Sequence, residues 1–304
     1  IIDCDTGTDD AIAIVAALYS PEIDVNAFTT VDGNVALKYT SRNTLNLVRY
    51  LGFDTPVAGG APQPILREIV HSGDNTHGNT GLGTVEIPET DAPFYDKTAV
   101  ETIYEHAVAC KGELELIPIG PLTNIAHAIM VHPDLKTLIK QIVFMGGAMW
   151  GGNMTTTAEF NIWADPEAAK IVFASGIPMT MVGLDVTLKA VLNKEDTDEI
   201  RAMGTTAAVV TADILDFMLK RVAGGGEDLL MHDALAVAVC IDPTLVKANK
   251  YFVDCEVSGK YTSGHTFVAV TRIFRQEPNC FVAEELDLPR FKTWLKAAIA
   301  RSIK

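Results

Sequence analysis

The chain has 304 residues, a formal net charge of −15 and a hydrophobic fraction of 48%. This length and apolar content predict a globular protein with a sizeable core, built as one large α/β domain or two small ones. The negative charge argues against nucleic acid or an anionic membrane surface as a partner, because phosphate binding depends on patches of Lys and Arg.

The first ten residues combine an apolar strand start with four carboxylates. Asp3 and Asp5 are two residues apart, so on an extended chain they point to the same side. Residues 6–8 have the composition of a turn, and a helical pattern begins at Asp9 and Asp10. The four carboxylates are therefore expected where a strand ends and a helix begins, which is where open α/β sheets bind ligands.

The electrostatic repulsion within such a cluster of carboxylates must be compensated. Two carboxylates about 5 Å apart repel by about 3 kcal/mol at an effective dielectric constant of about 20. A helix N-terminus offsets about 1–2 kcal/mol of this, so raised pKa values or a bound cation must supply the rest. Oxygen ligands favour Ca²⁺ or Mg²⁺ over zinc. The alternative is that Asp9 and Asp10 only charge the helix start, which leaves Asp3 and Asp5 unexplained.

Strand and helix patterns alternate along the chain after this opening. Strands are predicted at 23–30, 55–58, 114–119, 142–145 and 179–182, with helices at 36–51, 97–110, 194–203, 205–222, 231–240 and from 288. Alternation of this kind predicts an open, mostly parallel sheet flanked by helices. The stretches 251–257 and 266–273 predict a small antiparallel extension. No repeat or linker interrupts residues 1–304, so we expect a single α/β domain.

Two segments are expected to be loops: 59–93, which shows little periodicity and is long enough to be functional, and the polar segment 148–161. The first, 59–93, contains the polar run 74–81, and the second, 148–161, contains Asn153, Glu159 and Asn161. Gly224-Gly225-Gly226 lies between the helices predicted at 205–222 and 231–240. It is expected to form either the hinge of a lid or a flexible link between these helices.

Several segments resemble, in order, the sequence blocks of the nucleoside hydrolases, which cleave the N-glycosidic bond of ribonucleosides to free base and ribose. The blocks read DCDTGTDD at 3–10, TVDGN at 30–34, HGNTG at 77–81, PIGPLTN at 118–124, MGGA at 145–148, AEFN at 158–161 with DPEAA at 165–169, and HDA at 232–234. They cover nearly the whole chain. The resemblance implies an α/β fold, a small ribonucleoside substrate and a homodimer or homotetramer.

The resemblance also implies a role for each matching position. Asp5, Asp10, Asp233 and the backbone carbonyl of Ile119 resemble calcium ligands, and Asp5 also resembles the base that deprotonates the attacking water. Asp3 is interpreted as a support for the site. The positions that resemble ribose-binding residues are Asp9, Asn34, Asn153, Glu159 and Asn161. Breaking a ribosyl C–N bond develops an oxocarbenium-like sugar, which nearby negative charge stabilises.

Each of two histidines has a functional and a structural interpretation. His232 resembles the residue that protonates a departing purine, and otherwise orients Asp233 or caps a helix. His77 contacts the base or gates the pocket, and otherwise stabilises its loop.

The chain departs from the family pattern in two places. Thr6 stands where the family has Pro, and 216–222 contains no Tyr, although broad-specificity members place base-contacting Tyr residues there. Pyrimidine or mixed base specificity is therefore expected.

Two alternatives remain open from the sequence. One is a Mg²⁺-dependent phosphatase of the haloacid dehalogenase type, with Asp3 as nucleophile, because these enzymes place Asp-x-Asp after their first strand. The other is a nucleoside-binding protein without catalytic activity. The five widely spaced cysteines favour free thiols in a reducing cytoplasm over a disulfide framework or a zinc site.

Overall fold

The computed structural model describes residues 1–71, 76–222, 228–271, 273 and 275–302. The strands in this part of the chain are β1 (Ile2–Cys4), β2 (Phe28–Thr30), β3 (Val57–Gly59), β4 (Leu114–Pro118), β5 (Ile139–Met145), β6 (Met179–Val182), β7 (Val191–Leu192), β8 (Leu229–Leu230), β9 (Val246–Tyr251), β10 (Val253–Cys255), β11 (Thr266–Val268) and β12 (Cys280–Leu286). The α-helices are α1 (Thr8–Leu18), α2 (Leu37–Tyr50), α3 (Ala99–Cys110), α4 (Thr123–Val131), α5 (Phe160–Ala164), α6 (Pro166–Phe173), α7 (Leu184–Thr187), α8 (Lys194–Ala202), α9 (Thr206–Val222), α10 (His232–Ile241) and α11 (Leu288–Ala300). The triple glycine 224–226 and residues 74–75 of the polar run lie outside the described residues.

Eight strands form one sheet in the order β3-β2-β1-β4-β5-β6-β12-β9. All neighbouring pairs are parallel except β12 and β9, which are antiparallel. The chain builds outward from β1 to β3 on one side, and then from β4 to β6 on the other. The order of the strands therefore reverses between β1 and β4. At such a point the connections diverge and leave a crevice at the carboxyl ends of the strands.

Helices cover both faces of the sheet. One core cluster joins α1, α9, α10 and α11, and the other joins α3, α4 and α6. Helix α1 is buried from Ala11 to Ala17 because it packs against α9, α10 and α11. Its four alanines let these neighbours approach closely. Consequently the N-termini of α1 and α10 lie near each other, although they are far apart in sequence.

The predicted α/β fold with a mostly parallel sheet and a small antiparallel extension is confirmed. β10 pairs with β11 inside the stretches expected for that extension. The prediction was wrong in missing β9 and β12, which lengthen the main sheet. β9 reads Val-Lys-Ala-Asn-Lys-Tyr, and its exposed lysines are typical of an edge strand with little apolar signal. Because one sheet draws on strands from both ends of the chain, we propose that residues 1–304 form one domain.

No described helix has the length and apolar character required to span a membrane.

Candidate active site

A cavity of about 380 Å³ opens at the carboxyl ends of β1, β4 and β5. This volume lies within the usual range for small-molecule sites, about 300–1,000 Å³. Every predicted substrate-binding residue lies in its wall, together with Ile119, Asp233 and His232. The described lining residues are Thr8, Asp9, Asn34, Thr76, His77, Ile119, Met145, Asn153, Met154, Glu159, Phe160, Asn161, Met218, Arg221, Leu230, His232 and Asp233.

Asp5 and Asp10 are held side by side below this cavity. Asp10 Oδ1 accepts a hydrogen bond from the backbone N–H of Asp5 at 3.1 Å, and Oδ2 accepts one from Gly7 at 2.9 Å. The Asn34 side chain donates to Asp10 Oδ2 at 3.0 Å, and its backbone N–H donates to Asp5 Oδ2 at 2.7 Å. Asp5 Oδ1 is left buried and without a hydrogen-bond partner within the described chain.

Two glycines make room for the Asp5 carboxylate. A Cβ atom on Gly120 would lie 2.6 Å from Asp5 Oδ1, and one on Gly33 would overlap Oδ2. Backbone from β2 and β4 therefore closes around Asp5, which fixes the direction of its carboxylate.

Helix α10 brings a fourth carboxylate to the site. Carboxylate oxygens of Asp9, Asp10 and Asp233 all lie within 4.8 Å of one another. Asp5 is outside this set of three, although its charge acts on Asp233. The sequence placed Asp9 among the sugar-binding positions, whereas the geometry also makes it a candidate metal ligand.

The electrostatics of the four carboxylates favour a cation. Burial, followed by repulsion from neighbouring carboxylates, raises the pKa of Asp5 and of Asp233 well above the ordinary range, and raises that of Asp10 to about 7. Oδ1 of Asp9, like that of Asp5, is buried without a hydrogen-bond partner in the described structure. Buried like charges need a cation or protons, and an all-oxygen donor set fits a hard divalent ion.

Ile119 follows β4 and presents its backbone carbonyl to the same region. That carbonyl accepts a hydrogen bond from the Asn161 amide at 3.0 Å, and the same amide donates to the carbonyl of Met145 at 3.2 Å. Asn161 thus bridges the ends of β4 and β5. The predicted use of the Ile119 carbonyl as a metal ligand stays a prediction.

Glu159 is held rigidly at the N-terminus of α5. Its carboxylate accepts hydrogen bonds from the backbone N–H groups of Gly147 at 2.9 Å, Asn161 at 3.0 Å and Ile162 at 3.2 Å. Burial nonetheless raises its pKa to about 7. Nearby, Asn153 Oδ1 accepts a hydrogen bond from the backbone N–H of Phe160 at 2.9 Å. The amide N–H₂ of Asn153 takes no part in this hydrogen bond. Carboxylate and amide groups thus line one wall, as sugar hydroxyls require.

His77 is tied to the start of α1. Its Nδ1 lies 3.1 Å from the backbone nitrogen of Thr8, which can only donate, so Nδ1 is the acceptor and carries no proton. Burial also lowers the pKa of His77. The ring is therefore neutral, with its proton on Nε2. The contact with Thr8 also holds the loop that carries His77 against the start of α1.

His232 is anchored through its Nδ1 to the hydroxyl of Thr187, at 2.8 Å. Burial lowers its pKa, although the negative charge of Asp9 opposes this shift. The anchor orients the ring through Nδ1 and leaves Nε2 outside this contact, and His232 lines the cavity. This position suits contact with a bound base, and the adjacent Asp233 shares the same helix start.

Asp3 lies in the core beneath the site. Its Oδ1 accepts from the Asn124 amide at 2.8 Å and from the Thr29 hydroxyl, and Asn124 also donates to the Thr30 carbonyl. Asp3 is 1% exposed and does not line the cavity. It joins β1, β2 and the start of α4, away from the surface that a substrate phosphate would contact. The phosphatase alternative with Asp3 as nucleophile is therefore not supported.

Sequence reasoning missed the apolar and cationic part of the cavity wall. Met154, Phe160, Met218, Arg221 and Leu230 all line it. Met218 and Arg221 are three residues apart in the helix predicted at 205–222, so helical spacing already placed them on one face. That the face points into the cavity could not be known before α9 was placed.

The family comparison agrees with this geometry. A family model described as "inosine-uridine preferring nucleoside hydrolase" matches residues 1–293. The chain is 42% identical over 295 residues to the pyrimidine-specific ribonucleoside hydrolase RihA of Escherichia coli K12, covering 96% of this chain and 94% of the relative.

Solved structures show the same likeness. A purine-preferring ribonucleoside hydrolase from Gardnerella vaginalis superposes with a TM-score of 0.93 at 37% identity, covering 98% of this chain and 97% of that one. A plant nucleoside hydrolase also reaches a TM-score of 0.93, at 29% identity and 98% coverage of both chains. The predicted family is therefore confirmed, and this chain belongs to the inosine-uridine preferring nucleoside hydrolases.

Proposed function

We propose that this enzyme hydrolyses the N-glycosidic bond of ribonucleosides in a calcium-dependent reaction, with Asp5 as the general base and with pyrimidine or mixed base specificity. The observation that carries the proposal is the group of buried carboxylates at the foot of a 380 Å³ cavity whose wall carries Asn153, Glu159 and Asn161. Family membership supports hydrolysis of nucleosides.

Asp5, Asp10, Asp233 and the Ile119 carbonyl are the proposed calcium ligands, and the position of Asp9 makes it a further candidate. When bound, calcium would supply a positive charge that positions ribose hydroxyls and lowers the pKa of a nearby water. The residues fit this ion because carboxylate and carbonyl oxygens are hard donors, and Oδ1 of Asp5 and of Asp9 has no hydrogen-bond partner within the described chain.

Asp5 accepts the proton of the water that attacks C1′. The backbone N–H of Asn34 and the close approach of Gly33 and Gly120 hold its carboxylate in one direction, and its Oδ1 has no hydrogen-bond partner within the described chain. A carboxylate fixed in this way suits a general base. Asn153, Glu159, Asn161 and Asp9 hold the sugar. The two carboxylates among them, Asp9 and Glu159, stabilise the oxocarbenium-like sugar as the C1′–N bond breaks.

The relatives of this chain differ in their base preference. RihA is named pyrimidine-specific and the Gardnerella vaginalis enzyme purine-preferring. The higher identity to RihA, together with the absence of Tyr from 216–222, supports pyrimidine or mixed specificity. Hydrolysis of uridine, cytidine, inosine and adenosine, followed by an assay for free ribose, tests both levels of the proposal. Release of ribose from none of them would contradict it and would favour a non-catalytic nucleoside-binding protein.

The 2′-hydroxyl of the substrate should matter to the rate. With 2′-deoxyuridine, a buried sugar-binding group loses its partner, which costs about 1–3 kcal/mol, so kcat/KM should fall about 10- to 100-fold relative to uridine. The measurement is ribose or deoxyribose release under matched conditions. 5′-Deoxyuridine is a useful control, since it removes a different hydroxyl. Equal rates for uridine and 2′-deoxyuridine would show that the 2′-hydroxyl is not bound.

His232→Ala tests the role of this histidine in base departure. If Nε2 protonates a purine, the variant should lose about 10²-fold in kcat on inosine and much less on uridine. Affinity for the ribose moiety should change little, because other residues hold the sugar. The control is Thr187→Val, which removes the anchor of the ring but keeps the imidazole. Equal losses on inosine and uridine would reduce His232 to orienting Asp233.

Assembly and compartment complete the proposal. We expect a homodimer or homotetramer, which light scattering of the purified protein will measure. All five cysteines are unpaired and four are buried, which supports a reducing cytoplasm as the compartment.

A further inference from the structure

The cavity contains one Lys or Arg side chain among its described lining residues, Arg221. Three carboxylates line the same cavity, those of Asp9, Glu159 and Asp233. A cation in a wall this acidic calls for an explanation, particularly in a chain with a net charge of −15. Neither the proposed calcium ligands nor the proposed sugar-binding residues include it.

The position of Arg221 follows from the packing of α9. One helical turn earlier, Phe217 packs so closely on the loop after His77 that a Cβ atom on Gly83 would lie 2.5 Å from its ring. Residues four apart lie on the same face of a helix. Arg221 therefore extends over the loop that carries His77, and Met218 beside it also lines the cavity.

Among the residues that the structure describes, no group pairs with the charge of Arg221. Within the described chain it makes no ion pair or hydrogen bond, whereas Arg67, Arg201 and Arg290 each have a carboxylate within 3 Å. Both acidic residues nearest to it on α9, Asp213 and Asp216, are already paired with Arg201. The guanidinium is exposed, so it lies where the cavity meets solvent.

Arg221 lies on the histidine side of the cavity. Its positive charge opposes protonation of both His77 and His232, and burial is the larger cause of the lowered pKa in each. A nucleoside whose ribose faces Glu159 and Asn161 thus directs its base toward the two histidines and Arg221.

We propose that Arg221 contacts the substrate base and stabilises the negative charge on a departing pyrimidine, which makes it a determinant of base preference. This inference rests on the proposed function. In the reaction, the oxygen of water forms a bond to C1′, a water proton passes to Asp5, and the C1′–N1 bond breaks with its electron pair staying on the base. The pyrimidine anion spreads that charge onto its O2, next to N1, and then takes a proton from solvent.

The chemistry of arginine explains why pyrimidines should benefit. A guanidinium stays protonated, so it stabilises an anion through N–H donors but does not deliver a proton. A pyrimidine carries a carbonyl oxygen beside the leaving nitrogen, which these donors can reach. A purine has no exocyclic oxygen beside its leaving nitrogen, and its departure is favoured by ring protonation instead.

The test compares three variants of α9 on substrates with different leaving groups. In Arg221→Gln, kcat on uridine should fall about 100-fold, the lower end of the range for losing one electrostatic donor at a developing charge. The loss should shrink on 5-fluorouridine, and shrink further on 4-nitrophenyl β-D-ribofuranoside, whose leaving groups need less stabilisation. The ratio of uridine to inosine hydrolysis should fall as well.

Two matched variants separate charge from structure. Arg221→Lys keeps the cation and should recover part of the uridine rate. Lys220→Gln removes a positive charge from the adjacent exposed residue, which does not line the cavity, and should leave all substrates unaffected. The melting temperature of each variant should match that of the wild type, because Arg221 makes no ion pair or hydrogen bond with the part of the chain that the structure describes.

Three results would overturn the inference. They are unchanged uridine turnover in Arg221→Gln, equal losses on uridine and the nitrophenyl riboside, and a raised KM with unchanged kcat, which would mean ground-state binding only. If the wild-type protein still releases ribose from nucleosides, each of these results contradicts the role of Arg221 only, and the proposed function stands. A wild type that releases no ribose from any nucleoside would overturn the proposed function and this inference together.

Discussion

Asp5→Asn is expected to fold normally and to lose about 10²- to 10⁴-fold in kcat on uridine, the range for removal of a general base. Asparagine keeps the shape of the side chain and an oxygen that can face a cation, but it cannot accept the proton of water. The substitution also removes one of several buried carboxylates that repel each other. The free energy of unfolding should therefore not fall, and without a bound metal it should rise.

The control for Asp5→Asn is Asp24→Asn, which removes a negative charge from an exposed position far from the cavity. Steady-state kinetics and thermal unfolding of both variants give the comparison. The control should match the wild type in turnover. Loss of the proton acceptor alone predicts a much larger fall in kcat than tenfold. If Asp5→Asn keeps more than about a tenth of wild-type kcat, the base must therefore be another group.

Removal of metal is expected to abolish hydrolysis and to lower the melting temperature. A metal ion contributes several kcal/mol to such a reaction, so dialysis against a chelator should lower kcat by about 10³-fold or more. Without the ion, Asp9, Asp10 and Asp233 repel each other within 4.8 Å. Adding calcium to about 100 times its dissociation constant should stabilise the fold by about 2.7 kcal/mol.

Metal analysis of the purified protein should show about one calcium per chain. Asp233→Asn removes one proposed ligand, so it should need more calcium for the same rise in melting temperature. Asp24→Asn should respond like the wild type. Bound zinc in place of calcium, or full activity with no metal, would contradict the calcium proposal.

The sequence by itself determined the parts of the site that are local in the chain. Asp3, Asp5, Asp9 and Asp10 fall within ten residues, so strand period and helix start were enough to place them where β1 meets α1. Glu159 and Asn161 were likewise placed together by proximity in one loop. The βαβ alternation also predicted the parallel sheet, because each strand and helix carries its own apolar pattern.

Only the tertiary structure decided which distant groups meet. Asp233 joins Asp9 and Asp10 because α10 packs against α1, and no local pattern encodes that contact between positions more than two hundred residues apart. The same holds for His77, whose neutral state follows from the backbone N–H of Thr8, and for Arg221, which enters the cavity only through the packing of α9. Patterns of polarity specify which face of an element is buried, but the partner of that face depends on how all the elements pack together.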